Sequence, residues 1–222
     1  MTNILLDYPN PDADFLLPEL KKYIKPHHRV VNVAFSHHED DVQTIEDWNA
    51  KYSPTGKYYD GIVSPFAKFG IPAEQITVIN CFTDTPETAA QKIREADIVY
   101  LPGGLPDRLM NRIREFDLIN VIANHPGIIM GFSAGAMVQF KEYHISPDDD
   151  YPDFCYCDGL PILEDFYLEV HYEEDSAVQN AAIEQVLRER GKNVYATVRA
   201  AGAIIIHDLQ LTFLGDVRTF TP

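Results

Sequence analysis

Short, largely apolar runs alternate along the first two-thirds of the chain with stretches whose apolar residues recur every three or four positions. Residues 30–35, 76–80, 98–101 and 128–130 are runs rich in Val and Ile, each followed by turn or polar residues, and they predict buried strands. Between the second and third runs, Asp84-Thr85-Pro86-Glu87 predicts a helix start. There Asp84 is the cap, Pro86 lies in the first turn and Glu87 is at the capping-box position, and the helix runs to about Ala96. Leu109, Ile113 and Phe116, at spacings of four and three, mark one face of a further helix. Strands that are apolar throughout rather than alternating, separated by helices, predict a parallel sheet covered on both faces.

The second half is less regular. Residues 146–159 are polar, acidic and Pro-containing, and predict a long loop of the kind that often carries function. Residues 166–170 predict a strand. Residues 176–190 predict a helix, with Val178, Ala182 and Val186 on one face and Gly191 as its stop. Residues 194–198, 203–207 and 211–214 predict strands, the last two joined through Asp208-Leu209-Gln210 as a terminal hairpin. No repeat, linker or low-complexity tract interrupts the 222 residues, and one domain over 1–222 is the simplest division.

Composition narrows the function classes. A formal net charge of -16 repels phosphate backbones and anionic lipid surfaces, so neither nucleic acid nor membrane is an expected partner. The three cysteines, Cys81, Cys155 and Cys157, offer neither a secreted disulfide framework nor four-ligand metal spacing, and no metal or cofactor is expected. The start lacks a basic stretch followed by a long apolar region, and no apolar run approaches 18 residues; a cytoplasmic protein is the expectation.

Gly131-Phe132-Ser133-Ala134-Gly135 follows the strand at 128–130 and precedes a helical stretch at 136–140, the strand–turn–helix context of a nucleophile elbow. Glycines two residues either side of Ser133 remove side chains that would collide with the neighbouring strand and helix. The hydroxyl is then held at the carboxyl edge of the sheet near a helix N-terminus, where N–H groups favour developing negative charge. A second turn, Pro102-Gly103-Gly104-Leu105, follows the strand at 98–101 and falls on the same edge. With the N–H of Ala134, Gly103 or Gly104 can form an oxyanion hole.

A serine nucleophile needs a base. Of the eight histidines, His171 directly follows the strand at 166–170 and so also falls at a carboxyl edge, with His37 and His38 as rivals. His125 and His144 read as surface residues and His207 as structural. The carboxylate that orients the base stays open at this point: Asp148, Asp149 and Asp150 offer three candidates, and Glu173, Glu174 and Asp175 three more.

Leu101-Pro102-Gly103-Gly104, then Gly131-Phe132-Ser133-Ala134-Gly135-Ala136, then an Asp-x-Pro loop, then His171-Tyr172 resemble, in order and approximate spacing, the serine peptidases that include peptidase E (aspartyl dipeptidase) and cyanophycinase. The resemblance covers about residues 30–175. It implies a three-layer α/β/α sandwich with a mostly parallel, flavodoxin-like sheet and a C-terminal β-hairpin, akin to class I glutamine amidotransferases. It implies hydrolysis of short peptides, with Ser133 as nucleophile, His171 as base, Gly103, Gly104 and Ala134 around the oxyanion, and Asp150, from Asp150-Tyr151-Pro152, as the orienting acid. One departure bears on substrate. Aspartyl dipeptidases look like they place arginine soon after the catalytic His, whereas here Glu173 and Glu174 follow, and these acids are expected to face the pocket and favour a free α-amino group or a basic residue. The expected partner is a small peptide, with the chain a monomer or homodimer. Two other readings stand: an α/β-hydrolase-type esterase, in which His207 would have to be the base, and a non-catalytic amidotransferase-like binding protein.

Overall fold

The computed structural model describes residues 1–222. Its strands are β1 (Thr2–Leu6), β2 (Val30–Asn32), β3 (Ile76–Val78), β4 (Ile98–Leu101), β5 (Ile128–Phe132), β6 (Glu142–Ile145), β7 (Cys155–Asp158), β8 (Tyr167–Tyr172), β9 (Val194–His207) and β10 (Gln210–Phe220). Its helices are α1 (Leu17–Leu20), α2 (Ile45–Tyr52), α3 (Tyr59–Ala67), α4 (Pro86–Glu95), α5 (Pro106–Glu115), α6 (Ile119–Ala123), α7 (Ala134–Met137) and α8 (Ala177–Arg190).

Seven strands lie in the order β10-β9-β1-β5-β4-β2-β3, and β8 pairs with β9 beside them. The pairs β1–β5, β5–β4, β4–β2 and β2–β3 are parallel, and β9 runs antiparallel to both β1 and β10. Side chains alternate across each strand, so the two faces bury separate clusters. Val31, Val99 and Ile129 pack with Ile93 of α4, Ile113 of α5 and Ile122 of α6. Val30, Ile98 and Ile128 pack with Leu20 of α1 and Phe66 of α3 on the other face. At the β8 end, α8 lays Ile183 and Val186 on Tyr167 and Val194. The result is the three-layer α/β/α sandwich with a mostly parallel sheet and a terminal hairpin. No helix is long and apolar enough to cross a membrane.

The element that most affects the site is one the apolar pattern did not single out. β1 is wholly buried and lies between β5 and β9, in the middle of the sheet. β9 is also longer than expected, uniting the predicted strands at 194–198 and 203–207. One of its edges is taken by β10 along both halves. The other edge is shared: β1 pairs antiparallel with Ala203–His207, and β8 pairs parallel with 194–198. Because their directions along β9 are opposite, β1 and β8 run toward each other, and their carboxyl ends meet near residue 200.

Local differences have local causes. The α4 cap is Thr85 rather than Asp84: its hydroxyl accepts from the Thr88 N–H and Thr88 returns a bond to the Thr85 amide, leaving Glu87 one position short of the capping-box site. Asp84 instead accepts from the Asn80 amide and pairs with Lys92. The predicted loop at 146–159 contains β7, which pairs antiparallel with β6 in a separate two-stranded ribbon. The hairpin turn puts Asp208 and Leu209 at φ 47° and 65°, the two positive values that match the twist of a two-residue hairpin.

Candidate active site

Ser133 stands between β5 and α7 with φ 51° and ψ -122°, a conformation costly for any residue with a Cβ. Its amide donates to the Leu6 carbonyl at 3.0 Å, which ties the turn to the end of β1. The turn is tight enough that a Cβ on Gly135 would lie 1.9 Å from the Leu101 carbonyl oxygen, so only glycine permits the close approach of α7 to β4. The Ser133 Oγ lies 2.8 Å from Nε2 of His171.

The partner of the other imidazole nitrogen is Asp7. Its Oδ2 is 3.2 Å from His171 Nδ1, and its Oδ1 accepts the His171 backbone N–H at 2.6 Å. The carboxylate is almost fully buried, at 1% exposed. It is held by two further donors, the Thr197 hydroxyl at 2.9 Å and the Ala200 amide at 2.6 Å. Four donors around one buried carboxylate offset the cost of removing it from water. Three of them come from two residues with positive φ, His171 at 55° and Ala200 at 59°, and the β8–β9 register shifts between Glu169 and Tyr172. This bulge re-aims His171 out of the strand toward Ser133, and Asp7 bonds the backbone amides of both strained residues. With Nδ1 donating to Asp7, Nε2 is left to accept the serine proton.

Asp150, expected to orient the imidazole, is not brought to it. Its carboxylate is 54% exposed and lies 3.9 Å from Nε2 of His38. Asp148 turns its Oδ1 back onto the amides of Asp150 and Tyr151 as a loop former. Both belong to the ribbon connection, whereas the position beside Nδ1 is filled from β1, a strand and a residue the sequence reading passed over. One signal was present: an apolar run, Ile4-Leu5-Leu6, ending in an acid at a carboxyl edge.

Around Ser133 the Gly103-Gly104 turn comes close. A Cβ on Gly103 would sit 3.1 Å from Ser133 Cβ. Gly104 has φ 127°, and a Cβ there would strike the Ser36 carbonyl at 2.5 Å, so a side chain is excluded on both grounds. Within the protein neither glycine amide has an acceptor. Ala134 is the first residue of α7, where the N–H has no intrahelical partner.

A cavity of about 360 Å³ opens over Ser133, Ala134, Gly104 and His171. Glu173 lines it, but its carboxylate is engaged by the Arg199 guanidinium from β9. Glu174 does not line it and lies 3.9 Å from Arg218. A cation that follows His171 in space, not in sequence, thus reaches the cavity and occupies one of the two acids.

The other histidines are placed elsewhere. His37 is buried with Nδ1 3.1 Å from the Ala34 carbonyl, and burial, reinforced by Arg112, pushes its pKa down to about 4. His125 and His144, expected at the surface, are buried: His125 bonds the Ala96 carbonyl at 2.9 Å and His144 bonds Glu169 at 2.7 Å. His207 bonds Thr2, at the end of β1 remote from Asp7, and cannot act on Ser133 as the esterase reading requires.

Comparison with known proteins agrees with this architecture. The crystal structure of a protein designated peptidase E from Listeria monocytogenes EGD-e superposes with a TM-score of 0.67 at 14% identity, over 97% of this chain and 98% of that one. The crystal structure of a peptidase from an acI-B1 Actinobacterium gives 0.64 at 14% identity, over 99% and 93%. At such identities the likeness is one of fold. No curated protein matches the chain. The family model described as Peptidase family S51 matches residues 49–214, most of the chain. The chain belongs to peptidase family S51.

Proposed function

We propose that this peptidase cleaves short peptides by acyl transfer through Ser133, with His171 as general base and then general acid, and Asp7 as the carboxylate that orients it. The observation that carries the reading is His171 lying between Ser133 Oγ at 2.8 Å and Asp7 Oδ2 at 3.2 Å. As Oγ attacks the peptide carbonyl, its proton passes to Nε2 and the imidazolium is stabilised by the buried Asp7 carboxylate. The new oxyanion faces the amides of Ala134 and of Gly104 or Gly103. Collapse breaks the C–N bond, Nε2 giving its proton to the departing amine; water then hydrolyses the acyl-enzyme by the same route. The restricted cavity supports short substrates. The family resemblance and the charge support a cytoplasmic enzyme, monomeric or homodimeric, without nucleic-acid or membrane partners.

A fluorophosphonate probe tests the reading. Wild type should label; Ser133→Ala and His171→Ala should not, whereas His37→Ala and His38→Ala should. Failure of wild type to label would favour the non-catalytic binding protein. For peptide hydrolysis, Ser133→Ala is expected to lower kcat by about 10⁴-fold or more.

A further inference from the structure

Gln179 is the third residue of α8, and its backbone N–H donates to the hydroxyl of the capping Ser176 at 3.3 Å. In a capping box the side chain at this position returns to the amide of the cap. Here the Ser176 amide bonds the Glu173 carbonyl instead, and the Gln179 carboxamide turns toward the end of β8. Its Nε2 lies 3.2 Å from the Val170 carbonyl, 3.3 Å from the His171 carbonyl and 2.8 Å from Oε1 of Glu169. Its Oε1 accepts the Glu173 amide at 2.9 Å. One side chain thus reaches both residues that the β8–β9 register leaves without a pair, Val170 and His171.

The direction of that carboxamide is set by Glu169, a buried carboxylate that can only accept. Its Oε2 takes the Ser146 hydroxyl at 2.8 Å and faces Nε2 of His144 at 2.7 Å, so it is tied to β6 and the residue after it. Glu169 therefore admits Nε2 of Gln179 and not Oε1. His171 is gripped from two sides: Asp7 accepts its amide N–H at 2.6 Å, and Gln179 donates to its carbonyl. A positive φ on a residue with a Cβ persists only where the surroundings over-determine it, and here β1 and α8 both do so. Gln179 lines the cavity over Ser133, but both ends of its carboxamide are engaged within the protein.

We infer that Gln179, directed by Glu169, is a positioning residue for the base: it fixes the bulge that sets His171 Nε2 against Ser133 Oγ. The inference rests on Ser133 as nucleophile and His171 as its base. A displacement of about 1 Å between reacting groups can cost about 100-fold in rate. Loss of the Gln179 donor frees the His171 carbonyl while leaving Ser133, Asp7 and the imidazole chemically intact.

The test compares the full chain with Gln179→Met, near-isosteric but without a donor, and Gln179→Ala. Fluorophosphonate labelling taken to completion counts the folded sites, and its rate reports the activation of Ser133. In both variants the labelling rate, and kcat per labelled site on one peptide, should fall together by about 10- to 100-fold with KM unchanged. Val186→Ala, which loosens α8 in its buried cluster away from the bulge, should lower Tm yet leave both rates near wild type. Rates near wild type in Gln179→Met and Gln179→Ala would overturn the inference. So would a rise in KM alone, which would make Gln179 a substrate contact, or an equal fall in Val186→Ala, which would make the effect one of general loosening. Absence of wild-type labelling would overturn the nucleophile itself.

Discussion

Asp7 does two jobs with one carboxylate: it faces the imidazole, and it bonds the amides of His171 and Ala200 in their positive-φ conformations. Its loss should therefore affect rate and structure together. Asp7→Asn is expected to lower kcat by about 10⁴-fold, because an amide in this position can stabilise the wrong imidazole tautomer and no longer supports the imidazolium. Asp150→Asn should leave kcat near wild type, since the Asp150 carboxylate, at the edge of the cavity, approaches His38 at 3.9 Å and makes no bond to His171. Steady-state kinetics on one peptide separates the two acids. At this scale, Ser133, His171 and the glycine turn could be read from the sequence because each directly follows an apolar run. Asp7 follows one too, but nothing local distinguishes its run from an ordinary chain start, and its donors lie more than 160 residues away.

Among the elements, the elbow depends on backbone contact rather than side-chain chemistry. Gly135→Ala forces a methyl group into the Leu101 carbonyl, and α7 must move away from β4. The expected cost is about 1–3 kcal/mol, read from denaturant unfolding, with a fall in kcat from displacement of Ser133. Strands β2 to β5 were legible because a parallel strand covered on both faces is apolar at nearly every position. The β6–β7 ribbon was not, because half-exposed Cys155, Tyr156 and Cys157 carry little periodic signal. The bulge at His171 was also hidden: positive φ on a histidine is imposed by tertiary bonds to Asp7, not by local preference.

For the molecule as a whole, acid should be felt through His37. Its pKa is 6.5 when unfolded and about 4 in the fold, so between these values the unfolded chain binds the extra proton and stability falls as pH falls. Above about 6.5 the contribution is complete; below about 4 no further loss arises from this group. Replacement by Gln should flatten the decline of Tm across that window relative to wild type, measured by thermal denaturation at a series of pH values. An equal slope in both proteins would show that other groups carry the acid sensitivity. The three-layer architecture itself was readable from patterning, since apolar strands alternating with amphipathic helices leave few other arrangements. The pairing of β1 was not, because it is decided by partners near residues 128 and 205.

That long-range pairing also has a consequence in time. During synthesis β1 cannot be closed on both sides until β9, nearly 190 residues further along, has emerged. Asp7 joins to Ala200 across 193 residues of sequence, and to His171 across 164. Such separations make for slow, late closure of the sheet. A nascent chain stopped before residue 194 would carry Asp7 after β1 and Ser133 after β5, yet lack β9, the strand through which β8 and His171 join the sheet. With Asp7 orienting His171 as proposed, activity is expected only once β9 has paired with both β1 and β8.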